Sequence, residues 1–402
     1  MQDYFIGRQA IFDRRLRVYA YELLYREGHT SGAPRMDGDR ATSRLMLNAF
    51  TEMGLDRIAG NHRVFLNMTR SLLMDLPEFP FDKERLVLEI LEDIRVDDEF
   101  IQRISALDAE GYTLALDDFA FDDKWLPLIP HVDILKLEVP ALDWSKLPAQ
   151  LEKLHRNGLL LLAEKVETEE EYRKLHELGF DLLQGYYFSR PNVVAGKRLS
   201  ENQLITLKLI AKLNDPEATP KQLENLIAQD PGLVYRILRY LNSASLAMPR
   251  KIESIQQAII YLGLQRLRGW ASLIAISRVE DQPEELFTVA LVRAHMCAKL
   301  TAAVEKRTNE GAFTVGLLSV LDRLLGQPMT KILERISVSE QVKQALLTHE
   351  GTIGQALLCA RSFEQEENAP IGFAGLTAGE IQEIFLQSSE LAFQEQDGLL
   401  AN

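Results

Sequence analysis

Up to about residue 190, short apolar runs alternate with amphipathic helical stretches, the pattern of a parallel sheet with helical crossovers. Strands are predicted over Tyr4 to Gly7, Val18 to Leu24, Arg63 to Met68, Leu86 to Leu91, Thr113 to Phe119, Ile134 to Val139, Leu159 to Val166 and Asp181 to Tyr187. Eight such strands suggest a closed barrel. Helices are predicted over Arg40 to Met53, Asp97 to Glu110, Lys146 to Asn157 and Glu169 to Leu178. Gly111, Gly158 and Gly179 follow the last three, and glycine takes the left-handed position after a helix without strain.

The strand pattern stops after Ser189-Arg190-Pro191, and Asn192 to Asn202 reads as a connector. Helix signals then dominate. Thr219-Pro220-Lys221-Gln222 is a capping box with proline at the first helical position, and Ser254 to Gln257 and Thr377 to Glu380 repeat the capping logic. Asp230-Pro231 opens a helix with Leu233, Val234, Ile237, Leu238 and Leu241 at helical spacing. Glu364 to Asn368 reads as a solvated acidic loop. A final helix from Ala378 to about Gln394 is expected to dock through Ile381, Ile384, Phe385, Leu386 and Leu391. The expected architecture is α/β plus all-α: a barrel domain over 1–197 and a helical domain over 198–402.

Composition narrows the classes. A chain with 46% hydrophobic and 26% charged residues is of globular, soluble type. The net charge of −14 argues against a broad nucleic-acid surface, which needs clustered Lys and Arg. Cys297 and Cys359 give neither a disulfide framework nor metal-ligand spacing, so a reducing cytoplasm is the expected compartment. No apolar run is expected to span a bilayer, and the N-terminus lacks the form of a secretory signal.

Polar residues interrupt the apolar runs at telling places: Glu22, Asn67, Glu89, Asp117 and Asp118, Lys136, Glu164 and Gln184. A buried carboxylate costs several kcal/mol unless paired. Seven successive strands each contributing a polar residue are explained together by one shared site at a barrel mouth. Alone, Asp117-Asp118 reads either as a metal-binding strand tip or as a turn capping a helix. Carboxylates with an Asn amide oxygen form a hard, oxygen-only ligand set suited to Mg²⁺ or Mn²⁺ rather than zinc. Two such ions roughly 3.5 to 4 Å apart would activate a water and stabilise an in-line phosphoryl displacement. With a lysine and a further glutamate present, the set points to phosphodiester cleavage.

The stretches Gln9-Ala10-Ile11-Phe12-Asp13, Tyr21-Glu22-Leu23-Leu24-Tyr25-Arg26, Leu66-Asn67-Met68-Thr69, Leu88-Glu89-Ile90-Leu91-Glu92, Leu116-Asp117-Asp118-Phe119, Leu135-Lys136-Leu137, Ala163-Glu164-Lys165-Val166-Glu167-Thr168 and Gln184-Gly185-Tyr186 resemble, in order, the motifs of the EAL family of cyclic di-GMP phosphodiesterases. The resemblance implies a modified TIM barrel that opens cyclic di-GMP to linear pGpG. It further implies that Glu22, Asn67, Glu89 and Asp117 ligate metal and that Asp118 holds a second ion. Lys136 and Glu164 would assist the attacking water, Gln184 would support the site, and Gln9 and Arg26 would touch the dinucleotide.

The chain departs from that pattern in four places. Glu22-Leu23-Leu24 replaces Glu-Ala-Leu and keeps the ligand. Ala120-Phe121-Asp122-Asp123-Lys124-Trp125-Leu126-Pro127 replaces a glycine-rich turn, and losing the glycines is expected to deny the loop its family conformation. Lys136 is followed by Leu137-Glu138 rather than a hydrophobic-Asp pair. Glu164 is followed by Lys165 rather than Gly, which could set a cation against the metal site.

The second half resembles an HDOD domain, a relative of metal-dependent HD phosphohydrolases. The resemblance is carried by Leu226-Ile227-Ala228-Gln229-Asp230-Pro231-Gly232-Leu233, Leu241-Asn242-Ser243-Ala244, Ile255 to Leu267 and Val315-Gly316-Leu317-Leu318. Ser319-Val320 stands where catalytic relatives have His-Asp, so no metal hydrolysis is expected in this half. His295 aligns loosely with a family histidine and is expected to be packed or solvated. Two readings follow: a cyclic di-GMP phosphodiesterase with a regulatory helical domain, or a catalytically inactive receptor or scaffold. Signalling proteins would be the partners of the HDOD surface, and a homodimer is compatible with both.

Overall fold

The computed structural model describes residues 4–27, 54–76, 82–154, 158–185, 201–215, 217–242, 251–276, 285–306, 309–336, 338–364 and 372–400. The chain forms two compact units, Tyr4–Arg190 and Pro191–Asn402. The predicted helix from Arg40 to Met53, the residues Tyr186 and Tyr187, and most of the connector from Asn192 to Asn202 lie outside the described residues.

The first unit is a closed eight-stranded barrel in the order β1 to β8. Its strands are β1 (Tyr4–Asp13), β2 (Val18–Glu27), β3 (Arg63–Met68), β4 (Leu86–Ile90), β5 (Thr113–Leu116), β6 (Ile134–Glu138), β7 (Leu160–Glu164) and β8 (Leu182–Leu183). From β2 to β8 every neighbouring pair is parallel. The parallel pattern is interrupted at β1, which is antiparallel to both β2 and β8. Its cause is the connection: residues 14–17 are far too few for a parallel crossover, which needs about a dozen. The Asp13 carboxylate accepts from the Arg15 and Arg17 amides at 2.8 and 2.9 Å, and Leu16 takes φ 59°, closing a hairpin.

Two aspartates just ahead of strands fix the register at the barrel base. Asp133 accepts from the Leu114 amide at 2.9 Å, and Asp181 accepts from the Leu161 amide at 3.0 Å. Above them lies an apolar layer with one residue from each strand: Ile11, Ala20, Phe65, Val87, Ala115, Ile134, Leu162 and Leu182, all within 2% of full burial. Strand side chains alternate faces, so the residue two positions onward points inward one level higher. From Ala20, Phe65, Val87, Ala115, Ile134, Leu162 and Leu182 that step lands on Glu22, Asn67, Glu89, Asp117, Lys136, Glu164 and Gln184. On β1, which runs the other way, stepping back from Ile11 reaches Gln9. One polar layer therefore sits on one apolar plug.

The barrel helices begin and end where their caps dictate. Asp98–Ala109 starts on Asp97, whose carboxylate accepts from the Phe100 amide at 3.0 Å, and it is followed by Gly111 at φ 85°. Glu169–Glu177 starts on a complete capping box between Thr168 and Glu171.

Every regular element among the described residues of the second unit is a helix. Pro220–Ala228 carries the predicted Thr219–Gln222 capping box, and Ser254 caps Ile255–Leu262. The helix Glu285–Glu305 is long and apolar enough to cross a membrane by length and composition, contrary to the sequence expectation that no run reaches that length. Ala290, Leu291, Ala294, Met296, Cys297 and Leu300 are buried along it, so its apolarity is that of a core helix. The final helix, Ala378–Leu400, docks as expected through Ile381, Phe385 and Leu386, with the Phe385 ring stacked on Phe363 at 4.5 Å. Cys297 and Cys359 are both free and buried.

Candidate active site

The polar layer closes around Lys136, whose side chain is 1% exposed. Its ammonium lies 2.6 Å from Glu89 Oε1, 2.7 Å from Asp117 Oδ1, 3.0 Å from Glu164 Oε1 and 3.6 Å from Glu22 Oε1. Four strands thus aim carboxylates at a lysine on a fifth. Burial alone would pull this ammonium towards neutrality, but Glu164, Glu22, Glu89 and Asp117 together hold it well above the ordinary lysine value. One cation does not balance four anions. Burial pushes Glu89 well up, aided by Glu22 and Asp117 and opposed by Lys136. Burial likewise takes Glu164 up to about 8, and burial with the Asp117 charge takes Asp118 up to about 6.

Gln184 forms the opposite wall. Its Nε2 donates to Glu22 Oε2 at 2.5 Å and to Gln9 Oε1 at 2.9 Å, joining β8 to β2 and β1. Asn67 Oδ1 and Gln184 Oε1 are buried with no hydrogen-bond partner, and Glu89 Oε2 likewise accepts from no donor. Orphaned buried acceptors are costly, and oxygens so placed fit a cation as partner. Asp117, Asp118 and Glu164 bring carboxylate oxygens within 4.8 Å of one another, the grouping among the described residues that could hold a metal ion. All these donors are oxygens, so the set fits a hard divalent cation.

Every predicted site residue with a described side chain belongs to this constellation. Glu164 does more than expected, because it joins the Asp117–Asp118 cluster as well as facing Lys136. Arg26 lies on β2 opposite Phe5, with its side chain outside what the structure describes.

The mouth is conformationally unusual. Asp118, Phe121 and Lys165 take φ of 44°, 56° and 55°, in the left-handed region that favours glycine. Within the loop over residues 120–127, Phe121 takes this positive φ at a non-glycine residue. Phe121 is held edge-on to Phe119 with centroids 5.1 Å apart, and a 3-10 turn at Asp123–Trp125 buries the Trp125 indole. Lys165 bonds Glu138. Both residues are departures from the family pattern, and the structure brings them together at the ends of β6 and β7.

In the helical unit, Ser319 and Val320 are buried, and Ser319 Oγ accepts from Arg293 Nη1 at 3.0 Å. The Arg293 guanidinium also donates to Glu364 Oε1 and Oε2 at 2.6 and 2.5 Å. Glu364 was expected in a solvated acidic loop; the buried arginine draws it inward, and residues 365–368 lie outside the described residues. His295 Nε2 lies 2.8 Å from Glu395 Oε2, with its ring edge-on to Phe313. His295 is a packed, hydrogen-bonded residue.

Comparison with known proteins places these two units. Residues 40–191 match the EAL domain family and residues 202–362 the HDOD domain family. The chain is 34% identical over 369 residues to the uncharacterized protein YuxH of Bacillus subtilis, covering 90% of each chain. It is 34% identical over 375 residues to the cyclic di-GMP phosphodiesterase CdgJ of Vibrio cholerae, covering 91% of this chain and 86% of that one. Among solved structures, the manganese and cyclic di-GMP complex of Klebsiella pneumoniae BlrP1 at pH 9.0 is 25% identical, covering 47% of this chain and 56% of its own, with a TM-score of 0.37. An EAL barrel followed by an HDOD domain, shared along nearly the whole chain with such relatives, makes this protein a member of the EAL–HDOD family of cyclic di-GMP signalling proteins.

Proposed function

We propose that the barrel binds cyclic di-GMP and hydrolyses one phosphodiester bond to give linear pGpG, with Mg²⁺ or Mn²⁺ as cofactor. The observation that carries this reading is the inward layer of acids and amides around buried Lys136, with acceptor oxygens left without donors. The name of CdgJ, a cyclic di-GMP phosphodiesterase, supports the same substrate.

Glu22, Asn67, Glu89 and Asp117 would hold one cation, and Asp117 and Asp118 a second, in a cluster that Glu164 completes. Divalent cations bound there supply charge stabilisation to the phosphoryl oxygens and a more acidic water. The chain's own groups do the rest. Lys136, kept charged by its neighbours, fixes the four carboxylates and stabilises negative charge on the phosphoryl group. Glu164 accepts the proton of the attacking water. Gln184 holds Glu22 and Gln9 in place, and Gln9 with Arg26 contacts the dinucleotide.

The test is direct. Mn²⁺ should raise the melting temperature by mass action on the folded state, and Asp117→Asn should remove that shift. Purified protein should form pGpG only with the metal, and Glu164→Gln should slow this by about 10² or more. If neither metal nor cyclic di-GMP alters melting, the proposal fails.

A second reading, nucleotide binding without turnover, is favoured by the glycine-free loop over residues 120–127 and by the cation at Lys165. It is the outcome if metal and nucleotide stabilise the protein while no pGpG forms. For the helical domain, taken as residues 198–402, we propose a non-hydrolytic role as a docking module for signalling proteins. The supporting observation is that Ser319 and Val320 offer no metal-ligating pair, Ser319 being bonded instead to Arg293, which pairs with Glu364.

A further inference from the structure

Two departures from the family pattern, Glu138 at the end of β6 and Lys165 just past β7, face each other and form an ion pair. Glu138 and Glu164 are register partners across these parallel strands, so the pair bridges the strand ends that frame the second-cation cluster. Lys165 directly follows Glu164 in sequence, which sets the pair beside that cluster.

The arrangement carries a folding cost. Lys165 holds φ 55°, which a glycine takes freely and an L-residue takes at a penalty. An ion pair whose lysine side chain is 46% exposed contributes little stability in return. The pair's own contribution to stability does not offset that strain.

We infer that Lys165 is a resident cation of the Asp117–Asp118–Glu164 cluster, restrained by Glu138, and that this pair lowers the cluster's affinity for the second divalent cation. The inference rests on the metal-dependent reading above. Removing the lysine charge leaves three carboxylates with one fewer competitor for a cation. Removing the glutamate charge releases the ammonium towards Asp118 and deletes a nearby anion, so both effects oppose metal. The two substitutions must act in opposite directions, which an ordinary surface ion pair would not produce.

The experiment counts Mn²⁺ bound to the full chain by the electron paramagnetic resonance signal of free Mn²⁺ and by titration calorimetry, without substrate. Wild type should show one tighter and one weaker site. Lys165→Met, which keeps the backbone strain and loses the charge, should tighten the weaker site on the order of tenfold, the scale on which one nearby charge acts. Lys165→Gly should tighten it similarly and also raise the metal-free melting temperature by relieving φ. Glu138→Gln should weaken it further. Unchanged Mn²⁺ affinity in all three variants, or the same direction for Lys165→Met and Glu138→Gln, overturns the inference while leaving the metal site standing. No Mn²⁺ binding to wild type or any variant overturns the inference together with the reading beneath it.

Discussion

Replacing Lys136 by Met removes the only cation inside the described polar layer and leaves Glu22, Glu89, Asp117 and Glu164 facing one another. In the wild type, burial raises Glu89 and Glu164, and the Lys136 charge opposes both shifts. Without that opposing charge, a buried carboxyl must be held neutral. Holding a glutamate with an ordinary value of 4.5 protonated at pH 7 costs about 2.5 units at 1.36 kcal/mol each, or about 3.4 kcal/mol. That agrees with the roughly 3–5 kcal/mol seen when one partner of a buried pair is removed. For a domain of this size the metal-free barrel transition should fall by roughly 6–20 °C.

The pH dependence has a definite sign. A carboxyl whose folded pKa is raised binds more protons folded than unfolded, so its contribution to stability falls as pH rises from the unfolded value towards the folded one. The deficit of Lys136→Met should therefore be largest at pH 7 and shrink to about 0.7 kcal/mol at pH 5, where protonation costs only half a unit. Scanning calorimetry of the full chain at both pH values, with and without Mn²⁺, reads this, the barrel transition being the one that Mn²⁺ moves. A variant too unstable at pH 7 should recover at pH 5. A deficit under about 1 kcal/mol at pH 7, or one equal at the two pH values, would refute the account of Lys136 as the charge balance of the site.

Two further predictions concern other places. Glu364→Gln should cost the helical unit about 3–5 kcal/mol, because it leaves the buried Arg293 charge uncompensated. Arg293 offsets burial and holds Glu364 below the ordinary glutamate value, so wild type loses that stability as pH falls through the lowered pKa, and the variant should show a flatter acid limb in urea melts. Gly185→Ala should destabilise the barrel and weaken Mn²⁺ binding, since a Cβ there would collide with the Val166 backbone and Gly185 holds φ 146°. A melting temperature and Mn²⁺ affinity equal to wild type would show that the close approach of β8 to the loop after Glu164 does not matter.

The sequence by itself determined which residues could be chemical. Glu22, Asn67, Glu89, Asp117, Lys136, Glu164 and Gln184 stand out because each interrupts a run that would otherwise stay apolar, and apolarity is a local property. Caps such as Thr219 and Ser254 were legible for the same reason: their hydrogen bonds reach only three residues along the chain. What tertiary structure decided was which charges meet. Closing the sheet brought seven strands' inward positions to one level, and the short hairpin at residues 14–17 reversed β1, so that Gln9 faces Gln184. Partners distant in sequence, Glu138 with Lys165 and Arg293 with Glu364, could not be paired in advance, because attraction between charges depends on separation in space and sequence spacing does not encode it. The same limit explains the acidic stretch at Glu364. Composition assigned Glu364 to solvent, and a buried guanidinium on another helix draws that residue inward.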